Sequence, residues 1–399
     1  MRRIFLVLIV MLTAACAGTG GTPSSAQGPE GLLLVEAPHA VGAFDTASGS
    51  NAWTDKGGLF SPDFDRVFRI EGGELVVTDP GSGDDLGSVK VPQGFVPRVA
   101  STSGRLAALV EGPAGGTPYE PVERSETRII VGDPQAGDVY RFELSGNFEP
   151  EAFSVDDRSI FLIEYLPATD LKRYRVRVMD LRTGRIAPAG RLTKAAPDSM
   201  KRIGRTQTYS PDGEFLYTLY TRQPPNTAHR DHWHNEGSVH AFVHVLNLKK
   251  AWAHCIDLPM PFGMGTEPAN VLAASPDGSS VFVGDGRRLA RIDTAGLRFA
   301  EMEDVGAYAA EDAHAVADDR GRLYVGSGET VTVFQGDPLA LVDTWTSEGA
   351  VSSLGLADDG TLLFLGTPDG VSVVSTRTGE ETSTIDAPGA DRIRYSASS

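Results

Sequence analysis

Six of the eight histidines in this chain fall between His229 and His254: His229, His232, His234, His240, His244 and His254. Imidazole nitrogens and carboxylates are donors that zinc accepts, three or four of them at about 2 Å and converging from different directions. His229, Asp231, His232 and His234 sit in the polar stretch RQPPNTAHRDHWHNEGS (222–238) and could supply such a set from a folded loop. His232 and His234 flank Trp233 and share a side if the segment is extended. His240 and His244 share one face of a predicted strand with Phe242. At roughly 3.3 Å per residue they stand about 13 Å apart, too far for one metal unaided. A zinc or transition-metal reading therefore names His229, Asp231, His232, His234, His240 and His244. Neither an HExxH helix nor a cysteine pair accompanies them. The competing reading is a solvated loop followed by strand histidines packed in a core. The mixture of Tyr217, Tyr220, Arg222, Trp233 and the loop histidines also suits a small-molecule rim.

A second set of polar residues is scattered: Arg98, Glu151, Arg205, Asn270 and His314. Their chemistry depends on whether the fold brings them to one axis. The acidic doublets Asp156-Asp157, Asp318-Asp319 and Asp358-Asp359 tempt a paired-carboxylate reading, but each falls in a turn, where Asp supports the backbone through its own side chain. No Gly-x-Ser-x-Gly elbow and no P-loop is present. An enzyme on this chain would have to assemble its site from single residues.

The elements that must position these groups are short strands. From Pro268 to Asp304 the chain reads PANVLAASPDGSSVFVGDGRRLARIDTAGLRFAEMED. The turn Ser275-Pro276-Asp277-Gly278 separates the first two of four strands, here lettered A to D, and no helical period intervenes. The same pattern recurs through the chain, with Ser/Ala-x-Asp-Gly at A–B turns and Asp-x-x-Thr-Gly near C–D turns. Such a period marks a propeller or solenoid array. Seven units carry all four strands. Two ends remain: Leu32–Asp55 supplies B, C and D with no A, and Arg392–Ser398 supplies an A with nothing after it. Joined, they close the ring and leave no bare sheet edge. The expected fold is all-β: a single β-propeller of four-stranded blades over 32–399, eight blades by repeat count, or seven if one degenerate unit has been split in two. At Ala273–Gly284 and Val176–Gly184 the chain resembles YVTN-type, lactonase-like and WD40-like bacterial propellers, a resemblance that implies fold and leaves function open.

Before the repeats, Arg2 and Arg3 precede the apolar run Ile4–Leu12, which is too short to span a bilayer as a permanent helix. Leu12-Thr13-Ala14-Ala15-Cys16 then resembles the bacterial lipoprotein box, with Thr13 where a larger aliphatic residue is usual. That resemblance implies a signal peptide over 1–15, a lipidated Cys16, a tether over 16–31 (AGTGGTPSSAQGPEG after the cysteine) and an exported protein held on a membrane by several acyl chains. The remaining cysteine, Cys255, then has no intrachain partner and reads as a buried, inert thiol in a strand. A net charge of −17 argues against nucleic acid and anionic lipid as partners.

The B–C connection needs few residues in the sixth unit (Asp285–Arg288) but is long in three consecutive units: Glu111–Thr127, Leu166–Arg173 and Arg222–Ser238. In an up-and-down blade, B–C and D–A connections emerge on one face, so these three rise side by side. Long loops on a rigid scaffold are where binding residues concentrate. The expected function is a membrane-anchored module that binds a protein or small molecule on that face. Its candidate contacts are Tyr119, Arg173 and Trp233 in the loops, with Arg98, Glu151, Arg205, Asn270 and His314 toward the channel. The alternatives are a metal-binding propeller using the His229–His254 segment, as in periplasmic metal-chaperone propellers with His-rich segments, and a hydrolase or oxidoreductase with a channel site.

Overall fold

A computed structural model describes residues 31–37, 40–112, 122–169, 171, 173–191, 200–201, 206–223, 240–263, 269–310, 312–387 and 389–397. Every regular element of more than a turn among them is a strand. Eight sheets form, seven built on four sequential antiparallel strands and one on strands from both ends of the chain, and they follow one another as an eight-bladed propeller. The innermost strands, in blade order, are Arg392–Ala397, Leu59–Phe60, Phe95–Ala100, Asn147–Phe153, Thr206–Tyr209, Asn270–Ala274, Ala313–Ala317 and Ser353–Leu356.

The first blade is completed from both ends of the chain. Arg392–Ala397 pairs antiparallel with Gly31–Ala37, from Glu36↔Arg392 to Gly31↔Ala397. Ring closure therefore follows the sequence expectation, with Gly31 already in the sheet. Inside it, Tyr395 stacks on Phe364 of the eighth blade at 5.7 Å between ring centroids.

Cohesion comes from the seams between blades. Blades three and four meet through Val99, Leu106, Phe148, Phe153 and Met179. Blades five and six meet through Tyr217, Val243, Val281 and Ile292, and blades eight and one through Leu33, Phe44, Phe364 and Tyr395. Alternating side chains on each strand feed the two seams on either side, so both faces of most B and C strands are apolar and buried.

The acidic doublets are turn chemistry. In the sixth blade Ser275 Oγ donates to Asp277 Oδ1 at 2.6 Å, while the amides of Ser279 and Ser280 close the turn onto Asp277 and Ser275. Gly278 follows at φ +70°, a left-handed conformation that glycine adopts without steric cost. Asp156, Asp318 and Asp359 accept equivalent bonds in their own turns.

One blade departs from the sequence pattern. In the fourth blade the outer strand spans only Ile186–Pro188. Pro188 lacks the N–H that would continue the ladder. The chain then crosses to the next blade, where Gly190–Arg191 runs parallel to Trp252–Ala253 on the outer edge, and Met200–Lys201 returns to pair with Arg173–Tyr174. Blades four and five are thus laced together along their outer edge.

Candidate functional site

The face carrying the B–C connections is identified by its hydrogen bonds. D–A segments bond to short B–C turns, as in Tyr308 N to Gly286 O (2.9 Å) and Val351 N to Gly328 O (2.7 Å). Most B–C connections on this face are minimal: Gly72-Gly73, Gly286-Arg287, Gly328-Glu329 and Pro368-Asp369 are each complete. Asp285 shows how one is held. Its carboxylate accepts from the amides of Gly263, Arg287 and Arg288. The long connections leave Glu111, Tyr165 and Gln223 and return at Glu126, Arg173 and His240, over blades three, four and five in succession.

Beneath the first two of these lies a buried polar cluster. Asn147 opens the inner strand of blade four and is wholly buried. Its Nδ2 donates to the carbonyls of Val122 (2.8 Å) and Ala168 (3.1 Å), one in each long connection. Its Oδ1 accepts from Arg124 Nε at 3.0 Å. Arg124 also donates to the carbonyls of Glu111 (3.3 Å) and Phe148 (2.7 Å) and to Glu149 Oε1. Glu149 is 1 % exposed.

Arg98 meets the same carboxylate from the neighbouring blade. Its Nε lies 3.7 Å from Glu149 Oε2, too long for a hydrogen bond. Both atoms are buried without a hydrogen-bond partner. A buried polar atom left so costs about 1–3 kcal/mol. Burial pushes the Glu149 carboxyl up, with Arg124 and then Arg98 opposing. Burial likewise pushes Arg98 down, with Glu149 opposing and Arg124 adding to the shift. The cluster holds two cations and one anion.

Backbone irregularity places these groups. The inner strand of blade three shifts register between Pro97 and Val99, and that of blade four between Pro150 and Ala152. Arg98 and Glu151 are the extra residues. A proline cannot donate to the ladder, and the residue that follows it is squeezed out as a bulge in both cases. Among the described inner strands, no other carries such a shift.

The remaining candidates separate. Glu151 is buried at its bulge. Asn270 is buried, with Nδ2 donating to Thr221 Oγ1 at 3.3 Å. His314 is partly buried on the inner strand of blade seven, its imidazole pushed down by burial, against which Asp312 and Asp391 act. Arg173 is exposed at the start of its strand. Tyr119, Arg205, His229, Asp231, His232, Trp233 and His234 lie outside the described residues, and of His240 only the backbone, in strand His240–Asn247, is described. His244 is a core residue whose ring packs edge-on to Tyr220 at 6.3 Å. His254 stands opposite Val245, and His244 opposite Cys255. Cys255 packs beside the aromatic group Tyr165, Tyr174, Tyr220 and Phe242. Burial, with Asp257 second, pushes its thiol well up and keeps it protonated. Among the described residues no three His, Cys, Asp or Glu side chains gather as a metal site.

On the opposite face a groove of about 630 Å³ runs between blades five and six, lined by turn residues with Phe215, Tyr217 and Leu297. Its carboxylates, Asp212 and Asp277, are already engaged by Ser210 and Ser275 in their turns.

No protein-family model and no curated protein sequence matches the chain. Solved structures do. The dihydro-heme d1 dehydrogenase NirN in complex with DHE aligns with a TM-score of 0.55 at 14% identity, over 94% of this chain and 76% of that one. Apo AztD from Citrobacter koseri aligns at 0.53 and 12% identity, over 92% and 97%. Sqt1 from Saccharomyces cerevisiae aligns at 0.54 and 10% identity, over 91% and 90%. At these identities the likeness is one of fold.

Proposed function

We propose that this chain is an exported binding module, tethered to a membrane through a lipid on Cys16, that takes a protein or small-molecule partner on the B–C face above blades three to five. The observation that supports this reading is the convergence of two of the three long connections on Asn147, directly above the Arg98–Glu149 pair. Surface insertions that served no purpose would have no reason to share an anchor, since long loops cost little wherever they fall. A zinc-binding form of the module would draw its ligands from 229–234, because the ring of His244 is committed to the core.

The test replaces 113–121, 166–171 and 224–238 by two-residue turns, singly and together, and measures capture of partners from the extracytoplasmic fraction. Loss of capture on replacement supports the reading. Capture that survives all three replacements places the binding surface elsewhere. Cys16→Ala should move the protein from the membrane to the soluble extracytoplasmic fraction.

A further inference from the structure

Arg124 and Arg98 approach one carboxylate with opposite degrees of commitment. Arg124 commits four of its five N–H donors, to two backbone carbonyls, Asn147 and Glu149. Arg98, whose side chain is 8 % exposed, makes no hydrogen bond among the described residues, and its ion-pair partner is the 3.7 Å neighbour Glu149. A guanidinium carries five N–H donors in a planar fork. Here that fork belongs to an innermost strand, lifted out of the ladder by the Pro97 bulge, and it lies beside Glu149, which Arg124 of the long connection also reaches.

We infer that Arg98 is the anchor of a ligand site there, and that the ligand presents a single carboxylate to it. Among the described contacts two cations face one anion in surroundings nearly free of water, so one further negative charge balances these three groups. Planar, bidentate recognition of a carboxylate is what a free guanidinium does best. A phosphate dianion would overshoot that balance in a protein that already carries −17. Glu149 then has a defined part: it holds Arg98 in place without using up its donors. The inference rests on the binding reading above. Loop replacement tests that reading with Arg98 intact, so the two failures can be told apart.

The experiment titrates the detergent-solubilised full chain with acetate, propionate and benzoate and follows the thermal midpoint. Sodium chloride at equal ionic strength and inorganic phosphate run alongside. At least one monocarboxylate should raise the midpoint saturably beyond chloride. Arg98→Ala should weaken that affinity about tenfold or more, the size expected for lost hydrogen bonds to a charged group. Arg98→Lys, which keeps the charge and loses the fork, should weaken it less. Glu149→Gln should strengthen it by removing the competing charge. The inference is overturned if no monocarboxylate exceeds chloride, if phosphate alone acts, or if Arg98→Ala retains the wild-type response. Should Arg98→Ala fail to fold, unchanged affinity in Arg98→Lys overturns it equally.

Discussion

Arg124 reaches from the long connection of blade three to the carboxylate of Glu149 on the inner strand of blade four, and both are almost sealed from solvent. A buried ion pair is an uncertain source of net stability, because desolvation offsets most of the attraction. Breaking one is another matter. Arg124→Ala leaves Glu149 buried with the distant Nε of Arg98 for company, and should cost about 3–5 kcal/mol in urea unfolding. Glu149→Gln, which removes the charge that needs a partner, should cost less. A double change of Arg124→Ala with Glu149→Gln costing as much as the sum of the two single changes would show that the pair does not act as a unit.

Asn147 is a separate case because it carries no charge. Asn147→Ala orphans the carbonyls of Val122 and Ala168 together with Arg124 Nε. We expect a loss of about 2–4 kcal/mol, assembled from unpaired groups at about 1–3 kcal/mol each with partial access of water. The local consequence is more telling. Amide exchange should accelerate at 122–126 and 165–168 while the remote blades stay protected. Exchange that rises evenly around the ring would mean the residue merely supports the seam.

Legibility in the sequence followed the density of local signals. The A–B turns announce themselves because Ser, Asp and Gly each do something there that few other residues do: Ser275 and Asp277 close the turn, and Gly278 takes the left-handed backbone. Seven such units and a split first blade follow from counting them. The buried cluster was less accessible. Glu151 and Glu149 are two residues apart and would share a face in a regular strand, but the bulge after Pro150 breaks that equivalence and leaves Glu149 facing Arg98. The prolines were the available signal, since a proline in an inner strand forces an irregularity at the residue beside it. Arg124 and Asn147 had no signal of their own; a loop arginine and a strand-opening asparagine are ordinary until tertiary contacts bring them together. The ending of the outer strand at Pro188 could have been read for the same reason as the bulges. Of the histidines, His244 lies in the core because its neighbours Val243 and Val245 carry the strand through a seam, and the spacing to His240 argues against a shared metal.

His314 supplies a test by pH. Burial holds its folded-state pKa below the unfolded value, so as pH falls the unfolded chain takes up a proton first. Its contribution is therefore constant above about pH 6.5. Stability is lost as pH falls below that value and levels off beneath the folded-state pKa. His314→Gln should lose less stability between about pH 7.5 and about pH 5, on either side of a free imidazole at about 6.5, than the wild type does. Glu149 and Asp157, whose carboxyls burial pushes up, act with the opposite sign but equally in both chains, whereas Asp391, also pushed up by burial, loses the opposing charge of His314 in the variant. Identical pH profiles would mean that Asp312 and Asp391 offset the burial of His314 completely.

Closure of the ring can be tested by removing its last strand. Residues 392–397 supply the inner strand of blade one, the register partner of Gly31–Glu36, and two residues of the seam with blade eight, Ile393 and Tyr395. A chain ending at Asp391 exposes the N–H and C=O groups of Gly31–Ala37 as an open edge beside an uncovered apolar seam, the condition under which sheets pair with other chains. It should lose cooperative unfolding and aggregate at micromolar concentration. Tyr395→Ala isolates the packing contribution: the strand remains, the stack on Phe364 goes, and a loss of about 3–5 kcal/mol is expected for a large aromatic removed from a core. Adding a synthetic peptide of residues 390–399 to the truncated chain should restore a single thermal transition, because the missing pairing is a strand addition to a preformed edge. A truncated chain that melts as sharply as the intact one, without peptide, would show that blade one stands on three strands and that the C-terminal strand is not what closes the ring.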